Sequence, residues 1–134
     1  MLSKLPRWVG VAGFLLACAA GTMNSFMLLC LIRLPVSHLS GTTTNLAISI
    51  ARGNLSATGH FFMLLLSFVG GSALSGMIIR DSHLKLGRRY GYTLTTEAIL
   101  LFLVWSSFDY HPFESQYIIS FACGLQNAMA TTYS

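Results

Sequence analysis

The sequence predicts an all-α fold in which several hydrophobic helices cross a bilayer, and three observations carry that expectation. Charged residues make up only 9% of the chain and hydrophobic residues 54%, whereas about a quarter of an average soluble domain is charged. The charge is missing in long blocks. Trp8 to Ile32 and Ser115 to Ser134 carry none, Ala57 to Ile79 carries only the titratable His60, and Gly91 to Phe108 carries a single Glu97. Each block is near the ~20 residues that a helix rising ~1.5 Å per residue needs to cross a hydrocarbon core about 30 Å thick. Helices also satisfy their own backbone hydrogen bonds, which lipid cannot do for them.

The first span is expected over 8–32. Lys4 and Arg7 precede it, and Leu15-Leu16-Ala17-Cys18 resembles a lipoprotein cleavage site, as Ala17-Cys18-Ala19 loosely resembles a signal-peptidase site. The apolar run nevertheless continues through Phe26, Met27, Leu28, Leu29, Leu31 and Ile32. That exceeds the ~7–15 residues of a signal h-region, so the span is read as uncleaved. Pro35 ends it, because proline has no N–H to continue the helical ladder.

The next segment, 36–51, is rich in hydroxyls, with Asn45 at its centre. As a helix, Leu39 to Ala51 would reach only ~20 Å, so a short re-entrant or interfacial helix is preferred to a spanning one. Spans follow over 57–79, 91–108 and 115–134, giving about four transmembrane helices plus the short polar one in a single domain. In the second span Gly70, Gly71, Ser72, Ser75 and Gly76 form overlapping small-x-x-x-small spacings. These let another helix approach closely, within the chain or in a homo-oligomer.

Loop charge sets the orientation. If 36–51 does not span and the N-terminus is cytoplasmic, Lys4, Arg7, Arg80, Lys85, Arg88 and Arg89 lie inside, and only Arg33 and Arg52 lie outside. The opposite choice exports the cluster from Arg80 to Arg89 together with Arg33. Positive charge resists translocation, so the first arrangement is expected. The loop with Asp109, His111 and Glu114 is then external.

Two short passages echo one another. Ala19-Ala20-Gly21-Thr22-Met23-Asn24-Ser25 in the first span and Ala122-Cys123-Gly124-Leu125-Gln126-Asn127-Ala128 in the last share Gly three positions before Asn, flanked by small residues. They lie on spans expected to run in opposite directions, as in the inverted repeats of many transporters. The chain stops soon after the second copy, so it reads as the first half of an inverted repeat, truncated at its C-terminus.

These motifs also carry a family resemblance. The first-span pattern A-G-x-x-N-S is joined by H-L-S-G-T-T-T-N-L-A at His38 to Ala47 and G-R-R-Y at Gly87 to Tyr90. T-E-A-I-L-L at Thr96 to Leu101 and A-C-G-L-Q-N-A at Ala122 to Ala128 complete the set. Together they resemble the YoaK-like family of bacterial membrane proteins, a domain of unknown function. The resemblance covers nearly the whole chain and implies a multi-pass protein of the bacterial cytoplasmic membrane. Members usually have Asp where Asn24 stands and a Met-Thr-Gly-Asn-type motif where this chain has Leu39-Ser40-Gly41-Thr42. They also continue into further spans, which implies that this chain corresponds to the N-terminal part of a member.

Function is expected to rest on polar residues within the spans. Glu97 is the one acid in a span; it costs on the order of 3 kcal/mol at a helix centre unless it faces a protein interior or a cavity. Thr93, Thr96 and Glu97 share one helical face. Asn24, Gln126 and Asn127 offer donors and acceptors to a substrate or to a neighbouring helix. Thr43 and Asn45, with Thr42 and Thr44, could line a hydrated pathway or simply an interfacial helix. The rises place Glu97 and Asn127 at similar depth, so a shared site for a small-molecule or ion substrate is expected there. His38 and His60 are read as interfacial.

Other classes are disfavoured. The net charge of +4 lies between the apolar runs instead of forming a patch, so nucleic acid is not an expected partner. Cys18, Cys30 and Cys123 show no metal or disulfide spacing, and no Ser/His, HExxH or paired-acid constellation is present. No metal, cofactor or enzymatic activity is therefore expected. The expected role is a small-molecule or ion transporter, or half of one, in contact with the lipid bilayer; a non-transporting membrane scaffold is the alternative.

Overall fold

The computed structural model describes residues 7–30, 39–79, 88–107 and 110–131. Over these residues the chain is all-α, with helices α1 (Arg7–Cys30), α2 (Leu39–Ala51), α3 (Leu55–Ile79), α4 (Arg88–Ser107) and α5 (Pro112–Thr131). Five helices therefore lie over the five expected segments. Residues 31–38, including Pro35 and His38, and the basic loop 80–87 fall outside the described residues.

The short polar segment is a helix of 13 residues, and it ends for a local reason. Gly53 has φ 66°; its N–H donates to the Ile50 carbonyl and the Asn54 N–H to the Ser49 carbonyl, both at 3.0 Å. This pair of reversed bonds closes a helix through a left-handed residue, which favours glycine. The next residue starts α3, since Asn54 Oδ1 accepts from the Ala57 N–H at 3.1 Å as an N-cap. The cap explains why α3 begins at Leu55 instead of the expected Ala57. Ser49 and Thr58 then join the two helices across the turn at 3.1 Å. We expect Gly53→Ala and Asn54→Ala each to cost about 1 kcal/mol, the first through its left-handed backbone and the second through its lost cap. Denaturant unfolding in detergent would measure both losses, and two neutral results would remove the turn from the stability account.

Helix α5 is the hub. It packs most extensively on α3, then on α4, and it also meets α1, while α2 lies against α3. Cross-contacts fix the directions. Tyr117 meets His60, Ser120 meets Leu64 and Gly124 meets Ser72, so α3 and α5 run parallel. Cys123 meets Met23 and Gln126 meets Leu16, so α1 runs antiparallel to α5.

Small residues bring α3 and α5 together. A Cβ on Gly71 would lie 2.0 Å from the Phe121 carbonyl oxygen, and one on Gly124 would lie 2.1 Å from the Phe68 carbonyl oxygen. The two backbones are in mutual contact, which only residues without a side chain permit. Two hydroxyls close the same interface, Ser72 Oγ donating to the Gly124 carbonyl at 3.0 Å and Ser120 Oγ to the Leu64 carbonyl at 2.8 Å. The expected packing face is therefore present at Gly71, Ser72 and Ser75. Gly76 lies outside this contact: it is exposed and a Cβ there would meet nothing within the chain. It lies one residue past Ser75, turned about 100° away from the contact.

Many large apolar side chains are exposed, and several polar ones are buried beside the apolar core. Phe14, Leu29, Met77, Phe102 and Trp105 are exposed, whereas Ser75, Thr93, Glu97, Ser115, Gln116, Ser120 and Gln126 are buried. Large exposed apolar areas of this kind mark contact with lipid or with a partner. Among the described residues, α3 has the length and apolarity needed to cross a bilayer, with 25 residues and a mean hydropathy of 2.0 in its most apolar window. Gly91–Ser106 forms a shorter apolar stretch.

Candidate functional site

The α1–α4–α5 junction collects the most unusual chemistry in the chain. Helix α4 contributes Thr93 and Glu97, one turn apart and both buried, at 0% and 5% exposure. The i, i+4 spacing turns both toward the bundle, and Val104 continues the same side into the apolar cluster formed with Met23, Phe68, Ile119 and Cys123. Helix α5 contributes Cys123, whose thiol lies within electrostatic reach of the Glu97 carboxylate. Its Sγ is also 3.7 Å from Met23 Sδ on α1. One turn further on, Gln126 Nε2 donates to the Leu16 carbonyl of α1 at 2.5 Å. A thiol and a thioether from α5 and α1 thus touch, with a buried carboxylate on α4 within electrostatic reach of the thiol.

The expected site residues separate into groups. Glu97 and Gln126 are buried on the helices that form this junction. Asn24 is half-buried on α1 next to Met23. Asn127 is exposed, on the side of α5 away from this junction. The α5 residue that answers Glu97 is Cys123, one turn earlier, because Asn127 is rotated out of the junction while Cys123 and Gln126 point into it. Thr43 and Asn45 lie on α2, which packs against α3. Thr43 is exposed and its hydroxyl donates to the Leu39 carbonyl at 2.8 Å; Asn45 is half-buried and its Nδ2 donates to the Gly41 carbonyl at 2.9 Å. Those two polar groups are occupied by their own helix. The two copies of the repeated motif also differ in setting, since Gly124 lies at the helix contact and Gly21 faces open space.

A second polar cluster lies where α3 and α5 begin. His60 Nδ1 and the Tyr117 hydroxyl are 2.9 Å apart, and the imidazole meets Phe113 edge-to-face. His60 is half-buried and ties α3 to α5 through Tyr117. The Gln116 side chain approaches the same ring. His60 Nε2 and Gln116 Oε1 are both buried without reaching hydrogen-bond geometry. Tyr117 and Gln116 lie in an apolar run, and sequence reasoning passed over both. A tyrosine and a glutamine side by side near a helix start were the available signal.

Among the described residues, no three His, Cys, Asp or Glu side chains converge. In the comparisons, the model of a family described as "Protein of unknown function (DUF1275)" matches residues 12–134. No curated protein and no solved structure matches the chain.

Proposed function

We propose that this chain, which belongs to the DUF1275 family of proteins of unknown function, is a multi-pass membrane protein that binds a small solute or ion at the Glu97 junction and carries it across the bilayer. The observation that carries the reading is a buried acid, Glu97, inside helices whose outer surfaces are apolar. A carboxylate in such a place is costly and is found facing protein interiors, pathways and proton relays. The helix directions support a multi-pass arrangement: α3 and α5 run parallel, with α4 between them in the chain. The positive loops support a cytoplasmic N-terminus in a bacterial inner membrane. Resemblance to the YoaK-like family and the repeated Gly-x-x-Asn motif support reading the chain as the first part of an inverted repeat.

A scaffold or partner subunit is the second reading, and Gln126 favours it. Its carboxamide holds α1 through the Leu16 carbonyl, a use typical of polar residues that hold membrane helices together. An uptake screen in proteoliposomes, offering small metabolites and ions to the full chain, separates the two. Accumulation of any solute above protein-free vesicles supports transport, and a flat response across the panel with folded protein supports the scaffold.

Topology has its own expected result. Single cysteines introduced between residues 81 and 87 should react only from the cytoplasmic side, and those at the exposed Ser56 and Tyr110 only from outside. Ser115, expected from the sequence to mark the outer end of the last span, is 1% exposed and unsuited to labelling. Labelling of the 81–87 loop from outside would overturn the orientation.

A further inference from the structure

The Met23–Cys123 contact is a structural feature that the proposed function leaves unused. We infer that the α1–α5 contact in this junction is a binding site for a soft monovalent metal ion of the copper(I) or silver(I) type, held by Met23 Sδ and Cys123 Sγ. This names the ligand class of the proposed site and so rests on reading the junction as a binding site.

The chemistry of the donors selects the ion. Thiolate and thioether are soft ligands that prefer copper(I), whereas magnesium or calcium would require several oxygens in place of sulfur. The geometry is close to what such an ion needs. With metal–sulfur bonds of about 2.3 Å, the thiolate bond length known for zinc sites, the 3.7 Å sulfur separation gives an S–metal–S angle of about 107°. That angle suits a three- or four-coordinate ion with room for a further donor. The two sulfurs come from α5 and α1 and already touch, so neither helix has to distort to bring them together.

Charge conservation favours the site despite its burial. Cys123 is 4% exposed and Glu97 5%, and adding a bare cation to such an interior is costly. Binding, however, replaces the thiol proton: the Cys123 S–H bond breaks, a sulfur–metal bond forms from the same electron pair, and one proton leaves as one monovalent cation enters. The net charge of the junction is unchanged and nothing is oxidised or reduced.

Silver titration of the purified full chain in detergent tests the inference, with Cys18 and Cys30 replaced by alanine to remove the other thiols. One silver ion per chain is expected. Cys123→Ser should weaken binding at least 100-fold and Met23→Leu about tenfold, both variants being close to the native side chains in volume. Copper(I) loaded under reducing conditions should show two sulfur neighbours by X-ray absorption in the parent protein and one in Met23→Leu, a readout that needs no uptake. No silver binding, affinity unchanged in Cys123→Ser, or one sulfur neighbour in the parent would each overturn the metal assignment. Those outcomes leave the broader reading intact, because uptake of another solute dependent on Glu97 would still support it. Uptake independent of Glu97 alongside normal silver binding would refute the broader reading alone.

Discussion

Gly124→Leu is expected to abolish folded protein, Gly71→Leu to do the same, and Gly76→Leu to leave the yield unchanged. The first two positions lie at a contact between backbones. Even the Cβ of an alanine would overlap the Phe68 or Phe121 carbonyl oxygen at about 2 Å, and backbone cannot swing aside as a side chain can. Overpacking a core costs ~1–3 kcal/mol where neighbours can yield; here the helices must separate, so the loss should exceed about 3 kcal/mol. Separation would also break the Ser72–Gly124 and Ser120–Leu64 hydrogen bonds, each of a kind typically worth ~0.6 kcal/mol between membrane helices. Gly70 provides a graded control, because a Cβ there would meet only the Phe121 ring at 3.6 Å, an ordinary contact. Monodispersity by size-exclusion chromatography and thermal unfolding in detergent measure the series. Normal behaviour of Gly124→Leu would mean that α3 and α5 do not meet at this point.

The same glycines show what a sequence of this type reveals. Helix positions were legible, because charge-free runs and the polar 36–51 segment have lengths that geometry interprets directly; α2 occupies Leu39–Ala51, the range whose reach had been reckoned too short to span. Helix ends were less legible, since the α2–α3 boundary depends on the backbone of Gly53 and the cap of Asn54, which hydropathy does not mark. Facing was the least legible property. A helix apolar on all sides carries no stripe to separate the side that meets protein from the side that meets lipid. Small-residue spacing found Gly71 but also promoted Gly76, which has identical chemistry and points elsewhere. The candidate site suffered in the same way. Glu97 was conspicuous as the one acid in a span, but its neighbour on α5 was taken to be Asn127, the polar residue at a matching depth. Depth along an axis does not fix rotation about it, and rotation turns Cys123 inward and Asn127 outward. The Met23–Cys123 pair had no signature at all, because its members are 100 residues apart.

Glu97 is where transport and scaffolding give opposite results, and the informative substitutions are Glu97→Gln and Glu97→Leu. If the carboxylate binds cargo or its proton, both variants should abolish uptake while folding normally. Glutamine preserves shape and hydrogen bonding but removes the ionisable group, whereas leucine also removes the cost of burying a polar side chain. Replacing buried ionic groups with apolar residues of similar size is often neutral or stabilising by ~1–4 kcal/mol. Glu97→Leu should therefore melt at or above the parent temperature even though it is inactive. A structural tie predicts the reverse. Glu97→Gln would then retain uptake and stability, and Glu97→Leu would lose on the order of 1 kcal/mol, the scale of an interhelical hydrogen bond in a membrane. Gln126→Leu calibrates that scale, since its side chain has a defined structural bond to the Leu16 carbonyl and should lose about this much. Asn127→Ala completes the set as an exposed position expected to leave both uptake and stability unchanged. Loss of uptake in Asn127→Ala with full activity in Glu97→Gln would relocate the site from the α1–α4–α5 junction to the outer face of α5, where a further helix or a second copy would have to complete it.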